Sequence, residues 1–357
     1  MKKVCIIIRS LANGGAEKQS VLLAKALHDR YETWLVILSK DPCHEKHMNT
    51  ITETGINHLF LEGGLLQKAK LFKKFLQEKS IDVLFSYLPS DTVFAGLVGK
   101  WSGVPFVNGG VRNAEIPKKK LLALKLMHNL VLDYSISNCY SGSEKFVEFG
   151  FNKEKMLVLP NGLELRQEPI TREETDTVHI LSVGRFVEQK DYPTAIKAIA
   201  MLTREYTLGN KFTYTILGYG EEEQTIRREI AAHQLQDVVE VVINPPNVMD
   251  YYRHAHIYLC TSIFEGLSNS IMEAMSFSLP LIATDAGDND RLVGSKDNGY
   301  LLPIKDHKAI AEALAELITS AKIRNKMGER SYQRLQEKYT FEKFKENYIS
   351  LIENISR

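Results

Sequence analysis

Residues 262–293 read SIFEGLSNSIMEAMSFSLPLIATDAGDNDRLV. The apolar run 257–260 just ahead of them has the length and composition of a buried strand, and Phe264-Glu265-Gly266 supplies the turn that ends it. Ser268 to Ser270 then open a helix that carries Glu273, and the run 280–283 returns to strand. Strand, glycine turn, helix and strand is the unit from which parallel sheets are wound.

The same alternation extends in both directions. Further strands are expected at 179–183, 213–217, 238–242 and 299–302, and, ahead of Pro160, at 3–9, 33–38, 57–61, 83–86, 104–108, 134–137 and 156–159. Segments between them read as amphipathic helices; Leu22, Leu23, Ala26 and Leu27, for example, share one face. Parallel sheets covered by helices on both faces follow. The two runs are separated by the polar stretch 164–177, ELRQEPITREETDT, which has the composition of a linker. Two α/β units are therefore expected, 1–165 and 166–338, repeating a pattern but no sequence. In the remaining segment, 339–357, the stripe Phe344, Tyr348, Leu351, Ile352 and Ile355 must dock, either on its own unit or back across the linker.

Composition limits the partners. The 357 residues hold 45 Lys+Arg and 44 Asp+Glu, so a net charge of +1 offers no global attraction to nucleic acid or to an anionic membrane, and any such contact must be local. No apolar run approaches the roughly 18 residues of a membrane span, and the start lacks the pattern of a signal peptide. Cys5, Cys43, Cys139 and Cys260 stand far apart, with no pair at metal-ligand spacing. A reduced, cytoplasmic chain without structural zinc or disulfides is expected.

In open α/β sheets ligands bind where strands end, so the turns after strands hold the candidate residues. Gly14 and Gly15, in Asn13-Gly14-Gly15-Ala16-Glu17, fit either close approach to a ligand at a helix N-terminus or a plain tight turn. They do not complete the dinucleotide pattern G-x-G-x-x-G. Gly184-Arg185, with Lys190 downstream, places two cations at a sheet edge near a helix start, an arrangement suited to a diphosphate and equally common as solvated surface. Gly218, in Leu217-Gly218-Tyr219-Gly220, either answers a backbone need or leaves room for a base. In the opening stretch, Glu265 and Glu273 flank the free N–H groups of a helix start, so an anion could lie between two hydroxyl-binding carboxylates. The bland alternatives are a solvated loop acid for Glu265 and, for Ser270 with Glu273, the S-x-x-E capping box.

Taken together, GGAE, GR with its downstream Lys, LGYG, E-x7-E with EAM, PLIATDAGDN and an aromatic C-terminal helix resemble, in order and spacing, a retaining glycosyltransferase of family 4. The resemblance implies an α/β protein of GT-B fold, two Rossmann-like doubly wound domains facing a central cleft, with the last helix crossing back to the N-terminal domain. It implies that Arg185 and Lys190 neutralise a nucleotide-diphosphate leaving group beside Gly184 and Gly218. Glu273 would hold ribose hydroxyls and Glu265 would lie near the donor sugar. Backbone amides of Gly266, Leu267, Ser268 and Asn269 would contact sugar and phosphate, and Gly14 and Gly15 would close over the phosphates. The donor expected is a UDP-sugar. The acceptor expected is a glycan or polyprenyl-linked glycan of a bacterial surface polysaccharide pathway. No cofactor and no catalytic metal are implied.

Three features stand apart from that pattern. Asp288-Asn289-Asp290 matches a metal-binding D-x-D but occupies the slot of a glycine-rich turn followed by an acidic residue, and is not expected to bind metal. Arg112, after Gly109-Gly110-Val111, replaces the histidine of many relatives and fits a donor phosphate, an acidic acceptor or plain surface. Leu267-Ser268 replace a commoner aromatic-glycine pair, leaving the sugar open. Lysine-rich helices at 64–79 and 117–127 suit peripheral contact with an anionic membrane at its cytoplasmic face, or simply a solvated helix surface. A nucleotide-sugar 2-epimerase and a non-catalytic sugar-nucleotide-binding protein remain as alternatives on the same scaffold.

Overall fold

The computed structural model describes residues 1–12, 14–111, 116–165, 168–209 and 211–355. The chain forms two units, Met1–Gly162 with Phe341–Arg357, and Leu163–Thr340. Arg112 lies outside the described residues.

Unit 1 is built on a seven-stranded, wholly parallel sheet. Its strands are β1 (Lys3–Ile8), β2 (Glu32–Ile37), β3 (Asn57–Phe60), β4 (Val83–Ser86), β5 (Phe106–Val111), β6 (Tyr134–Ser137) and β7 (Met156–Val158), in the order β3-β2-β1-β4-β5-β6-β7. Strands buried on both faces read as unbroken apolar runs, as in Val4-Cys5-Ile6-Ile7-Ile8, every residue of which is fully buried. Residues 109–111, expected to follow a strand, instead continue β5 and pair with β6.

Unit 2 repeats the design with six parallel strands. These are β8 (Thr177–Arg185), β9 (Lys211–Tyr219), β10 (Val239–Ile243), β11 (Ile257–Cys260), β12 (Leu281–Thr284) and β13 (Gly299–Leu302), ordered β10-β9-β8-β11-β12-β13. Helix Tyr192–Glu205 shows why the layers adhere. Ala195, Ile196, Ile199 and Leu202 recur at helical spacing and are buried with Ile180 and Ile216 of the sheet. Each such Ile or Leu contributes roughly 1.5–3 kcal/mol over its exposed state. In both units the strand order reverses beside the first strand, between β1 and β4 and between β8 and β11. Helices leave the sheet in opposite directions there, which opens a crevice at the carboxyl ends of the strands.

The stripe on the last helix, Phe341–Asn354, is buried in unit 1. Phe344, Tyr348 and Ile352 join Val4, Leu27 and Phe85, and the Tyr348 ring meets Phe85 edge-on at 5.6 Å. The polar stretch expected as a linker is in part strapped onto unit 2. Arg172 donates from its guanidinium to the carbonyls of Phe277 (2.9 Å), Ser278 (3.1 Å) and Tyr252 (3.3 Å), while Asn325 brackets its backbone. Those carbonyls end helices Val248–His254 and Asn269–Ser276, which leave them without intrahelical donors, so one planar cation completes two helix ends. Burial pulls the Arg172 pKa down to about 10.

Candidate functional site

The unit 2 crevice is assembled from the exits of β8, β9, β11 and β12. Gly184 and Gly218 are register partners, followed by Arg185 opposite Tyr219. A Cβ on Gly218 would lie 1.8 Å from the Gly184 carbonyl oxygen, so this floor admits no side chain. Past the strand, Phe186 N–H donates to the Tyr219 carbonyl (2.7 Å), and a short turn, Glu188–Lys190, brings the chain to Asp191 in the left-handed region (φ 45°). The next helix starts with Pro193 in its first turn, and Thr194 donates to the Asp191 carboxylate at 2.7 Å.

Lys190 and Glu265, 75 residues apart, meet across β8 and β11. The ammonium donates to Glu265 Oε1, which also accepts the Ser262 hydroxyl at 2.7 Å. The side chains are 16% and 9% exposed. Around this pair the two loops are laced together. Ile263 N–H donates to the Gln189 carbonyl (2.9 Å), Gln189 Nε2 to the Phe264 carbonyl (2.6 Å), and Thr261 Oγ1 bridges the carbonyls of Lys190 and Asp191. Burial works against the Lys190 charge, but the adjacent Glu265 carboxylate prevails and holds its pKa above the ordinary value. Arg185 differs: its side chain is exposed, and no hydrogen bond or ion pair engages it among the described residues. It is near enough to Lys190 to oppose that residue's charge.

Helix Asn269–Ser276 begins after Ser268, whose extended backbone is the N-cap. Ser270 therefore lies inside the helix, and the capping-box alternative for Ser270 with Glu273 is excluded: with Ser268 as the cap, the carboxylate stands two residues beyond the position that reaches back to it. Glu273 instead accepts the Tyr252 hydroxyl at 3.2 Å from helix Val248–His254. Burial and the Glu273 carboxylate push that phenol well above its ordinary pKa. Glu265 likewise departs from the solvated-acid alternative, being 7% exposed. Leu267 and Ser268 are buried, whereas Gly266 and Asn269 are half-buried.

Several supports of this site carry little or no signal in the sequence. Gly287, at φ 60°, packs so closely that a Cβ would fall 1.8 Å from the Glu265 carbonyl oxygen. Thr284 donates to the Ser262 carbonyl (2.5 Å), and buried Asn289 donates to the Thr284 carbonyl (3.0 Å). Glycine in PLIATDAGDN was the available signal for Gly287; nothing local marks Ser262, Gln189 or Tyr252. In the D-x-D stretch, Asp288 is buried and Asp290 exposed. Among the described residues no three His, Cys, Asp or Glu side chains are grouped to hold a metal ion. In unit 1, Gly14 is the extended N-cap and Gly15 the first residue of helix Gly15–His28; Asn13 lies outside the described residues.

Residues 165–334 match the model of the family described as glycosyl transferases group 1. Over 367 residues the chain is 24% identical to an uncharacterized glycosyltransferase of Haemophilus influenzae, covering 99% of this chain and 100% of that one. It is 23% identical to the alpha-1,4-N-acetyl-D-galactosaminyltransferase of Campylobacter jejuni named for its diNAcBac-PP-undecaprenol-linked glycan, covering 99% of each. Among solved structures it resembles Anabaena HepE in complex with UDP and glucose, with a TM-score of 0.84 at 14% identity, covering 99% of this chain and 100% of that one. The fold is GT-B.

Proposed function

We propose that this chain, a glycosyltransferase of group 1 type, moves a sugar from a UDP-sugar to a hydroxyl of a lipid-linked or other glycan, retaining anomeric configuration and using no metal. The observation that carries this reading is the contrast between two cations at one sheet edge. Arg185 stands unpartnered beside Lys190, which Glu265 holds.

Breaking an anomeric bond to a diphosphate puts negative charge on the departing nucleotide and positive charge on the sugar. Arg185 offers a planar fork that matches two phosphate oxygens, and the charged Lys190 adds a fixed positive field. Cations held in place before the reaction stabilise the charge as it develops, with no reorganisation at that moment. This is the task a divalent ion performs elsewhere, which supports a metal-independent step. Glu265 Oε1 is occupied by Lys190 and Ser262, while Oε2 has no partner among the described residues and can accept a sugar hydroxyl. Glu273, steadied by Tyr252, is the residue for ribose hydroxyls. The amides opening helix Asn269–Ser276 complete the phosphate side, and the base is assigned to the strand exits beside Gly184 and Gly218. The UDP complex of HepE supports the donor, and the undecaprenol-linked glycan of the Campylobacter relative supports the acceptor class and a bacterial surface-glycan pathway.

Calorimetric titration with UDP, GDP and ADP in excess chelator tests the donor. UDP is expected to bind wild type and to lose at least about tenfold affinity in Arg185→Ala, the scale of one charge-assisted hydrogen-bonded contact. Binding that appears only after a divalent cation is added overturns the metal-free reading. NMR of the anomeric proton in the product tests retention.

A further inference from the structure

Unit 1 gathers apolar and basic side chains on one face. Helices Leu65–Lys79, Pro89–Trp101 and Lys118–Leu126 lie side by side, the second touching the other two, and the turn Met127–Val131 continues the third. All pack on the same side of the sheet: Phe72, Phe75, Ala95, Val98 and Met127 share a core with Val107, and Leu124 packs on Val111 of the same strand face. Their remaining side chains therefore point away from the sheet. Eight of the thirteen exposed large apolar side chains among the described residues are here, including Leu65, Leu66, Trp101, Leu122 and Leu130, at 57–81% exposure. None of the thirteen lies on Gly15–His28 or Phe341–Asn354, which cover the opposite face.

The same elements carry ten lysines. Their only acids are Glu78 and the buried Asp91. Since the whole chain carries +1, this face is strongly positive and the rest of the molecule is net negative. Interleaving at side-chain scale is visible where Lys73 Nζ stands 3.9 Å from the centroid of the exposed Trp101 ring. We infer that this three-helix face docks on an anionic lipid surface, with the leucines and Trp101 at the acyl boundary and the lysines among the headgroups. Lysine stems lie along apolar surface while their ammonium groups reach anionic phosphate. Tryptophan concentrates at that boundary for the same reason. Protein-binding patches are instead depleted of lysine, which favours lipid as the occupant. Each lysine at such a surface strengthens binding roughly fivefold.

Co-sedimentation with vesicles tests this, using phosphatidylcholine alone and phosphatidylcholine mixed with phosphatidylglycerol. The assay needs no sugar donor, so it stands or falls independently of the sugar-transfer reading. Wild type is expected to bind only the mixed vesicles, with Trp101 emission shifting to the blue. The variant Lys70→Glu/Lys119→Glu/Lys120→Glu, all exposed positions, is expected to lose at least about tenfold of that binding with an unchanged melting temperature. Leu66→Ser/Leu130→Ser is expected to lose the blue shift. Failure of wild type to bind mixed vesicles overturns the inference, as does undiminished binding by the folded charge variant. Self-association abolished by the same substitutions, without vesicle binding, would assign the face to a second copy of the chain instead.

Discussion

Lys190 and Glu265 form a buried ion pair that joins the exits of two neighbouring parallel strands, and Ser262 donates to the same carboxylate oxygen. The pair serves two ends at once. It holds the Lys190 ammonium beside Arg185, where the proposed function puts a diphosphate, and it ties the loop after β8 to the loop after β11.

Removing one partner strands the other charge. Lys190→Ala and Glu265→Ala are each expected to cost about 3–5 kcal/mol in denaturant unfolding. Arg185→Ala, at an exposed and unpaired side chain, is expected within about 0.5 kcal/mol of wild type while losing transferase activity. Equal stability losses at all three positions would show Arg185 to be structural.

Gly287→Ala adds a Cβ against the Glu265 carbonyl at a left-handed position. The substitution is expected to cost on the order of 1–3 kcal/mol and to weaken nucleotide binding by displacing the Glu265 loop. Calorimetry alongside thermal melting checks both; a wild-type nucleotide affinity would uncouple this turn from the site.

Arg172 serves two helix ends through a planar fork, so Arg172→Lys is expected to fall well short of rescuing Arg172→Ala. A loss of about 2–4 kcal/mol in the alanine variant follows from several buried carbonyls left unpaired. Full rescue by lysine in chemical denaturation would count against the geometry.

Asp91 is wholly buried at the start of helix Pro89–Trp101, accepting the Arg9 N–H at 3.0 Å, and burial raises its pKa to about 7. A carboxyl with a folded pKa above its unfolded one makes stability fall as pH rises, here from about 4 to about 7, with a plateau above. Asp91→Asn keeps an acceptor for Arg9 and removes the charge. Its stability relative to wild type is expected to improve between pH 4 and pH 8 by a few kcal/mol at most. Parallel stability curves for the two proteins over that range would refute the assignment.

Much of this was legible locally. Alternation of β-branched runs with helical spacing is a short-range property, so the two parallel-sheet units and the glycine turns that end their strands could be read directly. Gly184-Arg185, Gly218 and the Glu265 loop could be located because strand ends in such sheets are where turns must depart. Helix starts are decided by one or two backbone angles, so Ser268 rather than Ser270 became the cap, and Glu273 turned to Tyr252.

What remained belonged to contacts between distant segments. No local pattern says that an ammonium at 190 will meet a carboxylate at 265, that Arg172 will leave an apparent linker for two helix ends, or that helix Phe341–Asn354 will bury its stripe in unit 1 rather than unit 2. Each outcome depends on which surfaces the strand order brings together. Spacing along the chain could supply the elements and their turns, because those are settled within a few residues. Strand order and burial alone could choose the partners, because a charge or an apolar stripe is satisfied only by what the finished fold sets beside it.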